Sequence, residues 1–365
     1  MSMLLKNDWE KEKEVFEAWW TSRLDRPLIQ IIDLTKFENP QEFFNCAWYF
    51  LQYYPDIERA LNEIFVKLKH AQFLMEAYPN IWLNTGPGAL ALYLGAQVKY
   101  DDRVKTAWIN GSFTLEEILE MDFDPDNEFW RYTVKAYSIL PSRYKNMAVI
   151  GFPDFHEGID ALAQLRGNFP TNFLKDLFFR GNLVKKALEK IQDLFFLYFE
   201  RISQLINANE HGYSTWAWLW SRQSHHVAGW DLLAYLSPKH FREFVLPFLE
   251  DECQYFDRVI WHLDGPLELP HLDELLSIEE LDGIQWIPGA GNPDPGDPRW
   301  LPLYEKIISN GKLLQLIDVP LEKVPNLLSH LPNHGRNVAI LAFYTSHQQR
   351  HALNKLLSLF TKTFL

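Results

Sequence analysis

The chain has 365 residues, 47% of them hydrophobic and 23% charged, which supplies a large core and excludes a disordered polymer. Asp and Glu (48) outnumber Lys and Arg (35), and the formal charge of −13 repels phosphate backbones and anionic lipid, so neither nucleic acid nor a membrane is an expected partner. Two distant cysteines, Cys46 and Cys253, exclude a disulfide framework and a Cys-rich zinc site. The amino end shows no secretory pattern, and no apolar run approaches the roughly 18 residues of a membrane helix. The expected compartment is therefore the cytoplasm.

In chain order, residues 8–24 mix charges with Val15, Phe16, Trp19 and Trp20 as an amphipathic helix does. Residues 28–33 read as a buried strand ending in an acid, and 40–77 return to helical spacing with a break near Pro55. A strand over 81–85 runs into Gly86-Pro87-Gly88, and another over 147–152 runs into Pro153-Asp154 before a long helical region at about 170–208. Residues 214–220 alternate Trp216, Trp218 and Trp220, which predicts a strand with the three indoles on one face, followed by a polar loop with Arg222, His225 and His226. Ser237-Pro238 signals a helix start. Strands follow at 259–263, 283–287, 312–317 and 337–343, and Ser346 with Gln349 forms a capping-box pattern before the last helix.

Eight apolar strands alternating with helix-length segments imply a parallel sheet covered by helices, and eight repeats favour a (β/α)8 TIM barrel over an open sheet. No Gly-x-Gly-x-x-Gly follows the first strand, which disfavours a dinucleotide fold. Residues 1–80 read as an amino-terminal helical and strand segment packed on a barrel of 81–365, the two forming one structural unit.

Barrel enzymes place reactive groups where strands run into the following loops, so the strand ends are the candidate site. The leading pair is His262 and Asp264: two apart on a strand, they project to one side, where the imidazole serves as acid/base or ligand and the carboxylate orients it. The plainer alternative is a histidine bonded to a loop carbonyl, with Asp264 capping the turn at Gly265-Pro266. His156, Asp231 and Tyr344 are the further catalytic candidates. Trp218, Trp220, Asn84, Asp154, Gln285, Trp286, Gln315 and Asp318 are candidates for substrate binding. Turn-forming Asp, ordinary buried Tyr and tryptophans packed under a helix are the competing readings.

A catalytic zinc needs about three protein ligands and an open position. His262 and Asp264 supply two, and Tyr344 or His156 is the available third. Zinc or another divalent metal is thus an open expectation at His262 and Asp264.

The run His262-Leu-Asp-Gly-Pro266, with His271-Leu-Asp-Glu-Leu-Leu276, residues 281–289, residues 158–167 and the Ser237-Pro helix, resembles the uroporphyrinogen decarboxylase superfamily over roughly residues 80–360. It looks most like a divergent branch related to cobalamin-dependent methyltransferases. The resemblance implies a (β/α)8 barrel with a deep pocket at the strand ends. It also implies one of two chemistries: cofactor-free decarboxylation of porphyrinogen acetates, or methyl transfer from a corrinoid protein to a thiol with zinc on His-x-Cys and a later Cys. In this chain Asp264 stands at the Cys position, no Cys lies near Tyr344, and Arg23 and Arg26 stand in a different context from the family's amino-terminal arginines. The expected function is methyl transfer or decarboxylation of a small or medium organic substrate, with a corrinoid protein as partner and a homodimer compatible with family precedent. The alternative is a non-catalytic binder of a tetrapyrrole, corrinoid or aromatic ligand on the same barrel.

Overall fold

The computed structural model describes residues 3–361. Its strands are β1 (Leu28–Asp33), β2 (Gln72–Met75), β3 (Asn80–Trp82), β4 (Gln97–Asp101), β5 (Thr106–Asn110), β6 (Val149–Gly151), β7 (Tyr213–Ser214), β8 (Trp220–Ser221), β9 (His225–Ala228), β10 (Arg258–Asp264), β11 (Gly283–Ile287), β12 (Leu313–Ile317) and β13 (Val338–Tyr344). Seven form one sheet in the order β2-β1-β13-β12-β11-β10-β9, parallel except for β2. β1 lies beside β13 over six residue pairs, from Leu28 opposite Ala339 to Asp33 opposite Tyr344. β3 and β6 form a separate parallel pair, and β4–β5 and β7–β8 are antiparallel hairpins. The fold is mixed α/β with a parallel sheet.

Strand parity divides the core. Val259, Trp261 and Leu263 of β10, Ile284 and Trp286 of β11, and Ile29 and Ile31 of β1 belong to the larger apolar cluster shared with the helices. The alternate positions Leu28, Val227, Ile260, Leu313 and Ala339 meet in a second cluster with Val149 of β6. That cluster is sealed by the helix Trp9–Trp20, whose residues Trp9, Phe16, Trp19 and Trp20 recur at helical spacing on its buried face.

Several expectations are corrected. Residues 214–220 are no strand: after β7 the chain turns, Trp218 takes a left-handed backbone (φ 61°), and β8 returns antiparallel to β7. The three tryptophans therefore do not share a face. The strand that joins the sheet is β9, within what reads as a polar loop, and His225 and His226 are buried on it. The 40–77 region is broken into short helical pieces and the helix Ile57–His70, with β2 at its end; the 170–208 region is two helices, Thr171–Phe179 and Gly181–Ile206. The helix starts hold: Ser237 accepts the backbone N–H of His240, and Ser346 with Gln349 forms a capping box. Among the described residues, no helix is long and apolar enough to cross a membrane.

Candidate active site

The carboxyl ends of β6, β9 and β10 and the turn after β3 enclose a cavity of about 240 Å³ lined by Pro87, Asp154, His156, Glu157, Trp216, Val227, Gly229, Asp231, His262 and Asp264. Five residues expected at the site thus meet: Asp154, His156, Asp231, His262 and Asp264. Donor atoms of Asp231, His262 and Asp264 lie within 4.8 Å of one another.

The imidazole of His262 is held from behind by its neighbours in the sheet. His262, Gln285 and Gln315 stand opposite one another on β10, β11 and β12. Gln315 Nε2 donates to the carbonyl of Ala217 at 2.6 Å, Gln285 Nε2 donates to Gln315 Oε1 at 2.7 Å, and Gln285 Oε1 contacts His262 Nδ1. A backbone carbonyl only accepts, which fixes both amides and makes His262 Nδ1 the donor. Nε2 is then the ring nitrogen left for a ligand. Gln285 and Gln315, both fully buried, are thus positioning residues behind the cavity. Gly229 permits the close approach of β9: a Cβ there would stand 2.6 Å from His262 Cβ.

His156 follows β6 with a left-handed backbone (φ 45°), which turns it back over the start of helix Gly158–Arg166. Its Nδ1 lies 3.1 Å from Asp160 Oδ2 and its Nε2 3.7 Å from Asp231 Oδ1. The first contact is an ion pair off the N–H direction, since the nitrogen makes no well-aligned hydrogen bond. Burial by itself would depress this imidazole, but Asp160, Asp231 and Asp154 outweigh it and hold the ring well above its ordinary value, as imidazolium. Asp160 also accepts the backbone N–H groups of Asp231 (2.6 Å) and Leu232 (3.0 Å), anchoring the loop that carries Asp231.

Burial pushes Asp154 up to about 6, with Glu157 and Asp231 adding to the shift and His156 and His262 opposing it. Asp264 is also raised, by burial first and then by Asp231, against the pull of His262. Beneath it Glu268 accepts the Asp264 backbone N–H at 3.1 Å and is pushed up to about 9 by burial and the nearby acids, so at neutral pH it adds no charge.

Other sequence candidates lie elsewhere. Trp286 faces the helices and packs edge-on against Trp300, because adjacent strand residues point to opposite faces and Gln285 takes the cavity side. Trp220 is in the cluster beneath Trp9 and Phe16, its Nε1 donating to the His211 carbonyl. Trp218 lines a separate apolar cavity of about 130 Å³ with Phe43, Phe44, Trp82 and Phe343. Asn84 caps its own turn by accepting the Gly86 N–H, Tyr344 is buried with its hydroxyl 3.5 Å from His347 Nδ1, and Asp318 is exposed. The candidates did not include Glu157, Asp160, Gly229 or Glu268. Glu157 stands in the same Asp154-Phe-His-Glu run, which is the signal that pointed to it; the other three become visible only when β9 and the following loops are in place.

The fold is that of an α/β protein with a cavity of ionisable side chains at its strand ends. No protein-family model matches the chain, and no curated protein matches it in sequence. Among solved structures it is similar in fold to a methyltransferase from Methanosarcina mazei, with a TM-score of 0.61 and 12% identity over 96% of this chain and 99% of that one.

Proposed function

We propose that this chain is a methyl-transfer enzyme on a closed (β/α)8 barrel of the uroporphyrinogen decarboxylase type. The ring is supported by β1 beside β13 and by one cluster that draws side chains from β1, β6, β9, β10, β12 and β13. The observation that carries the chemistry is the convergence of His262, Asp264 and Asp231 at the strand ends, with His262 held in one tautomer.

The donor set fits a divalent metal: one imidazole nitrogen left for a ligand and two carboxylates, a harder set than a thiolate site. His262 Nε2, Asp264 and Asp231 would hold it. A bound divalent cation supplies Lewis acidity that brings a thiol or similar nucleophile to its anionic form near neutral pH. Gln285 and Gln315 keep the His262 ring in place. Asp154, placed beside the two histidines, takes up the proton released by the nucleophile, and the His156 imidazolium balances the carboxylates around it. The methyl donor is a corrinoid carrier, as the family resemblance implies.

Charge and size favour methyl transfer over decarboxylation of a porphyrinogen. Asp154, Glu157, Asp231 and Asp264 all line the cavity, an unfavourable setting for a polycarboxylate. At about 240 Å³ it also falls below the roughly 300–1,000 Å³ of pockets that bury drug-sized ligands, and a tetrapyrrole is larger still. The same limits weigh against a tetrapyrrole-binding protein without catalysis.

The test is transfer from methylcobalamin to a panel of small thiols by zinc-supplemented protein, compared with His262→Ala and Asp264→Asn. Turnover reduced at least about 100-fold in both folded variants is expected. Methyl transfer at the wild-type rate by both would sink the reading.

A further inference from the structure

One fully buried cluster behind that cavity supplies neither a ligand nor a proton acceptor to that chemistry. Glu157 precedes helix Gly158–Arg166, His226 lies on β9, and Glu252 lies on helix Leu246–Tyr255. Each is at most 5% exposed, and one donor atom from each lies within 4.8 Å of the others. His226 Nε2 is 3.0 Å from Glu157 Oε1, which also accepts the Trp230 indole N–H at 3.1 Å. Glu252 Oε2 has no hydrogen-bond partner, and the charged groups acting on Glu252 are the acids Glu157 and Asp251. Phe195 and Phe256 pack against the imidazole, their ring centroids 5.0 and 5.2 Å away.

We propose that Glu157, His226 and Glu252 form a second, buried site for a divalent metal of the zinc class, structural in role. The three donor atoms converge in the apolar interior, and an unpartnered, buried Glu252 oxygen among them is what a missing cation leaves. The 3.0 Å between His226 Nε2 and Glu157 Oε1 is spanned by two ligand bonds of roughly 2.1 Å meeting at about 90°. On binding, the metal displaces the proton on His226 Nε2 and the proton on the Glu252 carboxyl, and both are released to solvent. The Trp230 N–H then supplies the outer hydrogen bond that orients Glu157, and the phenyl rings hold the imidazole in place.

The site would tie together three elements remote in the chain, immediately behind the cavity. Glu157 lines that cavity, and Trp230 is bracketed by Gly229 and Asp231, so the metal would fix the loop that presents Asp231. This site is separate from His262 and stands whether or not the methyl-transfer reading does.

The experiment is elemental analysis of full-length protein from zinc-supplemented cells, wild type beside Asp264→Asn, Glu252→Gln and His226→Asn. Asp264→Asn is expected to keep one equivalent of metal per chain, and Glu252→Gln and His226→Asn are each expected to hold one equivalent less than wild type. Stripping the metal from Asp264→Asn with a chelator should lower its Tm by several degrees, and added Zn²⁺ should restore it. Wild-type metal content in Glu252→Gln overturns the proposal, as does an Asp264→Asn protein without metal whose Tm ignores Zn²⁺. That second measurement decides alone if the cluster variants do not fold. Failure of the methyl-transfer reading leaves a different trace: no turnover in wild type, with this equivalent still in place.

Discussion

At the scale of single residues, His262 depends on groups that never touch the cavity. Gln285 carries the acceptor for its Nδ1–H, and Gln285 in turn is oriented by Gln315 and the Ala217 carbonyl. Gln285→Leu keeps the volume but removes that acceptor and leaves Gln315 Oε1 without its donor, all fully buried. A loss of about 1–3 kcal/mol in stability is expected by chemical denaturation. Turnover should fall roughly 10- to 100-fold, as for other groups that orient a ligand from behind. Gln285→Glu restores an acceptor facing His262, so a partial rescue of turnover separates orientation from simple packing. Equal damage from Leu and Glu would refute the orienting role.

At the scale of the element, the helix Trp9–Trp20 shows what burial does to an acid. Glu12 falls on the same buried stripe as Trp9, Phe16, Trp19 and Trp20. Burial, with Glu76 as the next contribution, pushes its carboxyl up to about 8 against the pull of Lys6. The folded chain therefore binds this proton more tightly than the unfolded chain, whose carboxyl has its ordinary value near 4.5. The resulting stability is fully present below about 4.5 and is lost as pH rises toward about 8, at most about 1.4 kcal/mol per pH unit. Glu12→Gln removes that dependence. Melting curves from pH 5 to pH 8 should fall less steeply for the variant, which becomes the more stable protein at pH 8. Parallel curves for the two proteins would show that Glu12 is not held protonated.

At the scale of the whole molecule, the amino-terminal segment completes the sheet. β1 sits between β2 and β13, and helix Trp9–Trp20 covers the second core cluster. A chain of residues 81–365 would strip β13 of β1, one of its two parallel neighbours, and expose that cluster, so no cooperative unfolding transition is expected by calorimetry or circular dichroism. A cooperative transition in that fragment would show that residues 1–80 are an accessory.

Local pattern determined much of this protein: most of the apolar strands, the capped helix starts, and the placement of Asp154, His156, His262 and Asp264 where strands end, whereas Asp231 follows a strand that reads as a polar loop. Those follow from period-2 apolar runs, turn residues and caps, whose physics acts within a few residues. The exclusion of Trp286 from Gln285's face was legible in the same way, since neighbours on a strand point apart. Only the tertiary structure decided that Trp220 parts from Trp216 and Trp218, which line one apolar cavity, because alternation along a sequence is met as well by a hairpin with one left-handed residue. The roles of Gln285, Gln315, Glu157 and Glu252 were decided there too. Whether a buried amide or carboxylate has a partner depends on groups from 23 to 98 positions away, and those distances close only when the strands assemble.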